Sequence, residues 1–172
     1  VQYLARTIGE DDSKRETIHF ILNEIMRLDR IIVDLYTISR PSPMVLERTS
    51  AVKVAELALR SLQDLSGGGE IVVVLDADDD LPEVSMDADK IQQVLINLIK
   101  NAYETSETGS EVRIEVHSVS HYTGPADEGR PTHVAIAVTD HGAGISEEDR
   151  GKIFEPFFSR KDAGTGLGLY VS

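Results

Sequence analysis

Between Glu16 and Arg40 the apolar residues Ile18, Ile21, Ile25, Leu28, Ile32 and Leu35 follow one another at steps of 3, 4, 3, 4 and 3. A period of 3.5 sustained over about three heptads is the seam of a helix that packs lengthwise on other helices. Asn23, Glu24, Arg27, Asp29, Arg30 and Asp34 lie between and supply its wet face. The stripe is narrow, so the helix requires partner helices. Val1 to Thr7 reads as the last turns of another helix, and Gly9-Glu10-Asp11-Asp12-Ser13 as the turn joining the two. The chain is therefore expected to begin partway through a helical hairpin whose first arm is mostly missing.

Arg40-Pro41-Ser42-Pro43 ends this pattern, because each proline disfavours a helical conformation in the residue before it. Three stretches follow from that break: 1–40 as a partial helical hairpin, 41–43 as a linker, and 44–172 as a second domain. In the second the period is mixed. Val45 to Thr49 suits a short strand, and Ser50 can cap a helix running to about Leu65. After Gly67-Gly68-Gly69 comes the β-branched run Ile71 to Leu75. A helix is predicted from Asp87 to about Ser106. Val112 to Val116 and Val134 to Val138 alternate like half-buried strands, with a polar loop, Ser118 to Thr132, between them. Helices and strands interspersed in this way predict an α+β fold, a two-layer sandwich with helices on one face of a mixed sheet.

Composition removes several function classes. The chain has no cysteine, which excludes disulfides, thiolate zinc sites and cysteine nucleophiles. Its 17 Lys and Arg against 30 Asp and Glu give a net charge of −13, unsuited to a general nucleic-acid binder. No apolar run approaches the ~20 residues of a membrane span, and no signal-peptide pattern opens the chain. A cytoplasmic location is expected.

Three constellations carry chemistry. On the helix from Asp87, Ile91, Val94, Leu95, Leu98 and Ala102 form an apolar stripe, while Lys90, Gln93, Asn97, Asn101 and Glu104 form a polar one. Asn97 and Asn101 project two amides from one face; they either face solvent or offer neutral hard oxygen ligands to Mg²⁺. Directly after the second alternating strand stands Asp140-His141-Gly142-Ala143-Gly144. It is either a plain turn or a carboxylate placed to accept from a nucleobase amino group, with glycines that let the backbone approach a flat ring. Ser146 and Asp149 then form a variant capping box. Last, Gly164-Thr165-Gly166-Leu167-Gly168-Leu169 follows Phe154-Glu155-Pro156-Phe157-Phe158-Ser159-Arg160-Lys161. Alternate glycines opening a helix make either a flexible loop or a cradle of backbone N–H groups for phosphate, with Arg160 and Lys161 beside it.

Taken together, these stretches resemble the catalytic ATP-binding domain of sensor histidine kinases, within the gyrase-like ATPase superfamily. Asn97 to Ala102 is similar to that family's N box, Asp140 to Gly144 to its G1 box, Phe154 to Phe158 to its F box, and Gly164 to Gly168 to its G2 box. Glu24 to Ile31, with Leu35 and Ser39-Arg40-Pro41, is similar to the second helix of the kinase dimerisation domain.

The resemblance implies a Bergerat-type ATP-binding fold, preceded by part of a dimeric four-helix bundle. It implies a protein histidine kinase of two-component signal transduction, with ATP and Mg²⁺. Asp140 would accept from the adenine amino group, with Gly142 and Gly144 shaping its pocket. Asn101 would ligate Mg²⁺, with Asn97 supporting the metal and phosphates, and Lys161 would approach the terminal phosphate. Gly164, Thr165, Gly166, Leu167 and Gly168 would form the phosphate cradle. Phe154, Phe157 and Phe158 would anchor a short lid, Ser159 to Ala163. All these groups are expected on one concave face. The implied partners are a second copy of the chain and a response regulator receiver domain; the parent protein is free to be membrane-attached.

The family's phosphoacceptor histidine belongs to the first dimerisation helix, and none of His19, His117, His121, His133 and His141 lies in its motif. The chain is therefore expected to bind ATP without phosphorylating itself. Glu104 stands where many members carry a basic residue. Two rivals share the resemblance: a gyrase-like ATPase that couples hydrolysis to motion, and a non-catalytic dimerisation module. A calcium loop at Asp76 to Asp80 fails because Leu81 and Pro82 stand where the loop must turn.

Overall fold

The computed structural model describes residues 17, 18, 20–22, 24, 25, 28, 31, 32, 35, 36, 43–62, 71–119, 133–161 and 164–172. The chain divides into two compact units, residues 43–151 with 172 and residues 1–42 with 152–171. Val1 to Thr7, the Gly9–Ser13 turn, the Arg40–Ser42 break, the triple glycine 67–69, residues 120–132 of the polar loop and Ala163 lie outside the described residues.

In the first unit the elements run β1 (Glu47–Thr49), α1 (Ala51–Ser61), β2 (Val72–Ala77), β3 (Val84–Met86), α2 (Ala88–Thr105), β4 (Glu111–Val119), β5 (His133–Thr139) and α3 (Glu147–Arg150). β1 and β3 form an antiparallel ribbon with Arg48 opposite Ser85. The other sheet has the order β2-β4-β5. β2 runs parallel to β4, with Leu75 opposite Ile114, and β5 antiparallel to it, with Val138 opposite the same residue. This mixed sheet with its helices is the expected α+β architecture.

Period-two alternation makes the sheet one-sided. On β4, Val112, Ile114 and Val116 are buried while Arg113 is exposed. The register places Val73, Leu75 and Ala77 of β2 and Val134, Ile136 and Val138 of β5 on that same face. Against it pack Val54, Ala55, Ala58 and Leu62 from α1 and its cap, and Leu95 and Ile99 from α2. Small residues on α1 let the two helices approach closely. The core-facing stripe of α2 is Leu95, Ile99 and Ala102; Val94 and Leu98, predicted to share it, are half-buried. With Leu98 and Ile99 adjacent, the pattern alone does not say which one faces the sheet.

Both long helices carry side-chain N-caps. Ser50 accepts from the Lys53 amide at 3.4 Å. Asp87 accepts from the Lys90 amide through Oδ1 at 3.2 Å and from the Val45 amide through Oδ2 at 3.0 Å. Those two bonds, Val45 first, hold the Asp87 carboxyl below its ordinary value. α1 stops at Ser61 rather than near Leu65. β3 was not anticipated, since three residues carry no period. Asp76 lies in β2, and Asp78 accepts from the Ser118 amide at 2.9 Å, so the acidic run is divided between a strand and a turn.

In the second unit, the described residues between 17 and 36 are helical, as the 3.5 period predicts. Their seam is exposed: Ile21, Ile25, Leu28, Ile32 and Leu35 keep 43–64% of their surface open. No helix among the described residues is long and apolar enough to cross a membrane.

Candidate functional site

Burial of Leu95, Ile99 and Ala102 against the sheet fixes what α2 presents elsewhere. At about 100° per residue, Asn97 and Asn101 fall roughly opposite that stripe and within about 40° of each other. Both are half-buried. Asn97 Nδ2 donates to Ser172 Oγ at 3.2 Å. Thr105 is the next position at the same spacing. Its hydroxyl donates to the carbonyls of Asn101 at 2.8 Å and Ala102 at 3.2 Å. Ser106 Oγ donates to Ala102 O at 2.7 Å, beside the Ser106 backbone amide at 3.0 Å, so hydroxyls add to the backbone bonding where the helix ends.

The strand β5 delivers Asp140 to this end of α2. Asp140 is exposed, and its Oδ1 accepts from the Gly142 amide at 2.8 Å, an Asx turn that fixes the carboxylate. Gly142 has no room for a side chain. A Cβ there would lie 2.6 Å from the Thr105 carbonyl oxygen and 2.9 Å from both Thr105 Cβ and Asp140 Oδ1. Gly144 is needed for a different reason, a φ of +72° with open space around it. Asn97, Asn101, Asp140, Gly142 and Gly144 thus share one unit, joined through a direct contact between turn and helix. Beyond them Ser146 and Asp149 exchange the expected capping bonds, 3.3 Å from the Asp149 amide and 2.8 Å back to Asp149 Oδ2.

Lys152 to Val171 belong to the other unit. Phe154 and Phe157 are each 64% exposed, so ordinary core packing does not account for them; Phe158 is half-buried. Phe157 has a φ of +66°, a left-handed conformation that costs a non-glycine residue about 1–2 kcal/mol. Gly166, also left-handed, lies against the Phe157–Phe158 peptide, and a Cβ there would collide with the Phe157 carbonyl. Gly164 is likewise pressed on the Ser159 side chain, and its amide donates to Lys161 O at 3.1 Å. Thr165 Oγ1 accepts from the Leu167 amide at 3.4 Å. Leu167 is fully buried, so it anchors this glycine-rich stretch within its unit. Val171 N donates to Leu167 O at 3.0 Å, one helical turn after Gly166. Lys161 is exposed.

The amide oxygens of Asn97 and Asn101 suit a hard divalent cation, and Asp140 suits an amino group. Thr105 was not singled out from the sequence, although it continues the amide stripe by one further step of four. No grouping of three or more His, Cys, Asp or Glu suited to a metal occurs among the described residues, so a magnesium site would depend on the amides.

Residues 86–172 match the model of the family described as histidine kinase-, DNA gyrase B- and HSP90-like ATPase. Sporulation kinase E of Bacillus subtilis (strain 168) is 27% identical over 152 residues, 88% of this chain and 19% of that protein. Among solved structures, the catalytic domain of histidine kinase ThkA is 30% identical with a TM-score of 0.59, covering 74% of this chain and 77% of that one. ThkA in complex with the response regulator protein TrrA is 25% identical with a TM-score of 0.67, covering 92% and 45%. The chain spans 19–34% of the length of the curated relatives it matches first.

Proposed function

Because this chain belongs to the histidine kinase-, DNA gyrase B- and HSP90-like ATPase family, we propose that it is the ATP-binding catalytic portion of a sensor histidine kinase. The observation that carries this reading is the seating of the Asp140–Gly144 turn on the last turn of the helix bearing Asn97 and Asn101. A purine-reading carboxylate and a pair of amides are thereby held on rigid elements.

In this reading Asp140 accepts from the adenine amino group, its carboxylate oriented by the Gly142 amide. Gly142 and Gly144 keep side chains away from the ring. Asn101, supported by Asn97, ligates Mg²⁺, which supplies neutralisation of the charge that builds on the transferring phosphoryl group. Lys161 and the backbone of Gly164 to Gly168 meet the phosphates, and Phe154, Phe157 and Phe158 carry the short lid. None of these residues forms a covalent intermediate; the site works by positioning and electrostatics. A histidine imidazole nitrogen forms the new N–P bond as the bond from the γ-phosphorus to the ADP oxygen breaks. A receiver-domain aspartate takes the group next, a partner supported by the ThkA–TrrA complex.

The exposed seam Ile21 to Leu35 supports homodimerisation, with residues 1–40 as the dimerising part, 41–43 the linker and 44–172 the catalytic domain. Mixing the chain with a separate dimerisation domain that carries an intact acceptor helix, and with labelled ATP, tests the proposal. Label on the partner's histidine is the expected result. Steady hydrolysis without that label would favour the motor-type ATPase, and neither would sink both.

A further inference from the structure

We propose that Thr105 is a positioning residue that fixes the distance between the magnesium-binding amides and the adenine-reading Asp140, an inference that rests on the ATP-binding reading above. The link is a continuous chain of contacts. Asn101 is held at its carbonyl by Thr105 Oγ1 at 2.8 Å, and the same hydroxyl reaches Ala102 O at 3.2 Å. Thr105 in turn is the surface on which Gly142 rests, with its carbonyl oxygen and Cβ so close that only a glycine fits. Gly142 then donates to Asp140 Oδ1 at 2.8 Å.

Helix ends fray because their last four carbonyls lack backbone partners. An α2 whose final turn frayed would carry the Thr105 carbonyl, and with it the Asp140 turn, away from Asn101. The hydroxyl sets the shape of that turn by bonding back to the i−4 carbonyl, a contact that bends a helix locally and so fixes where its last carbonyl points. Thr105 is exposed, so its hydroxyl is not explained by core packing. Thr105 touches neither metal nor purine in this scheme. It governs whether one ligand reaches both.

A ligand that bridges the two ends is sensitive to their separation, whereas one that uses a single end is not. The test therefore compares adenosine with MgATP on the full chain by titration calorimetry. Thr105→Val keeps the branched shape and removes the hydroxyl, while Thr105→Ser keeps the hydroxyl. The expected result is MgATP weakened about fivefold by Thr105→Val, the scale of one lost hydrogen bond. Adenosine affinity stays within about twofold, and Thr105→Ser restores MgATP binding. Amide NMR signals of Asn101 and Gly142 should shift together in the Val variant and not in the Ser variant.

Equal weakening of adenosine and MgATP would reduce Thr105 to general support and overturn the proposal, as would unchanged MgATP binding. If Thr105→Val fails to fold, Thr105→Ser decides through the same pair of ligands: loss of MgATP binding despite the retained hydroxyl overturns it. Failure of the unsubstituted chain to bind either ligand would instead overturn the ATP-binding reading itself.

Discussion

Two helical faces of this molecule obey the same amphipathic rule and meet opposite fates. On α2, Leu95, Ile99 and Ala102 are no more than 3% exposed, because a sheet from the same unit covers them. On the helix spanning the seam, Ile25 and Ile32 are 48% and 64% exposed. The first face is completed within its own unit; the second is exposed among the described residues. That contrast is what the proposed pairing of a catalytic domain with a dimerising segment requires. It also explains why α2 can display Asn97 and Asn101, since a helix locked on one side is oriented on the other.

The largest effect that would break the comparison is on stability. Ile99→Ala should cost about 2–5 kcal/mol in urea denaturation, whereas Ile32→Ala should change the same transition by no more than about 0.5 kcal/mol. Comparable losses at both sites would mean that the seam is also covered within the chain. Next, replacing Ile25 and Ile32 together by Glu should weaken self-association at least ~10-fold, equivalent to about 1.4 kcal/mol, in sedimentation equilibrium. An unaltered dimer would show that the interface lies elsewhere.

Smaller effects sharpen the picture of the self-sufficient half. Ser50→Ala should lower its stability by about 0.5 kcal/mol, modest for a cap because the bond to Lys53 N is 3.4 Å long. The pH dependence at Asp87 should be weaker still. Its folded-state pKa is depressed by the Val45 and Lys90 amides, so the charged carboxylate is the form the fold prefers. That contribution is complete above the unfolded value near ~4 and is lost as pH falls from there through the lowered folded value. Relative to Asp87→Asn, the native chain should therefore lose its advantage in urea midpoint as the solution is acidified below about pH 4. A constant difference down to pH 2 would contradict it.

Much of this architecture could be read before any coordinates. The helix expected from Asp87 to about Ser106 is α2, with those two residues as its caps, and the alternation around Ile114 and Ile136 located β4 and β5. What stayed hidden was non-local. The parallel pairing of β2 with β4 depends on register across forty residues, and β3 exists only because Val84 to Met86 pairs with β1. At the candidate site the residue types were legible, but the contact of Gly142 with Thr105 was not. It is a meeting of two chain segments nearly forty positions apart, and no spacing rule announces it.

Asp140, seated on the end of the amide-bearing helix, is proposed to read the purine. Calorimetric titration of MgATP and MgGTP into the chain and into Asp140→Asn tests it most directly. The account predicts ATP at least ~10-fold tighter than GTP in the native chain, a gap of about 1.4 kcal/mol that mostly disappears in the variant. Equal binding of ATP by both proteins would contradict it.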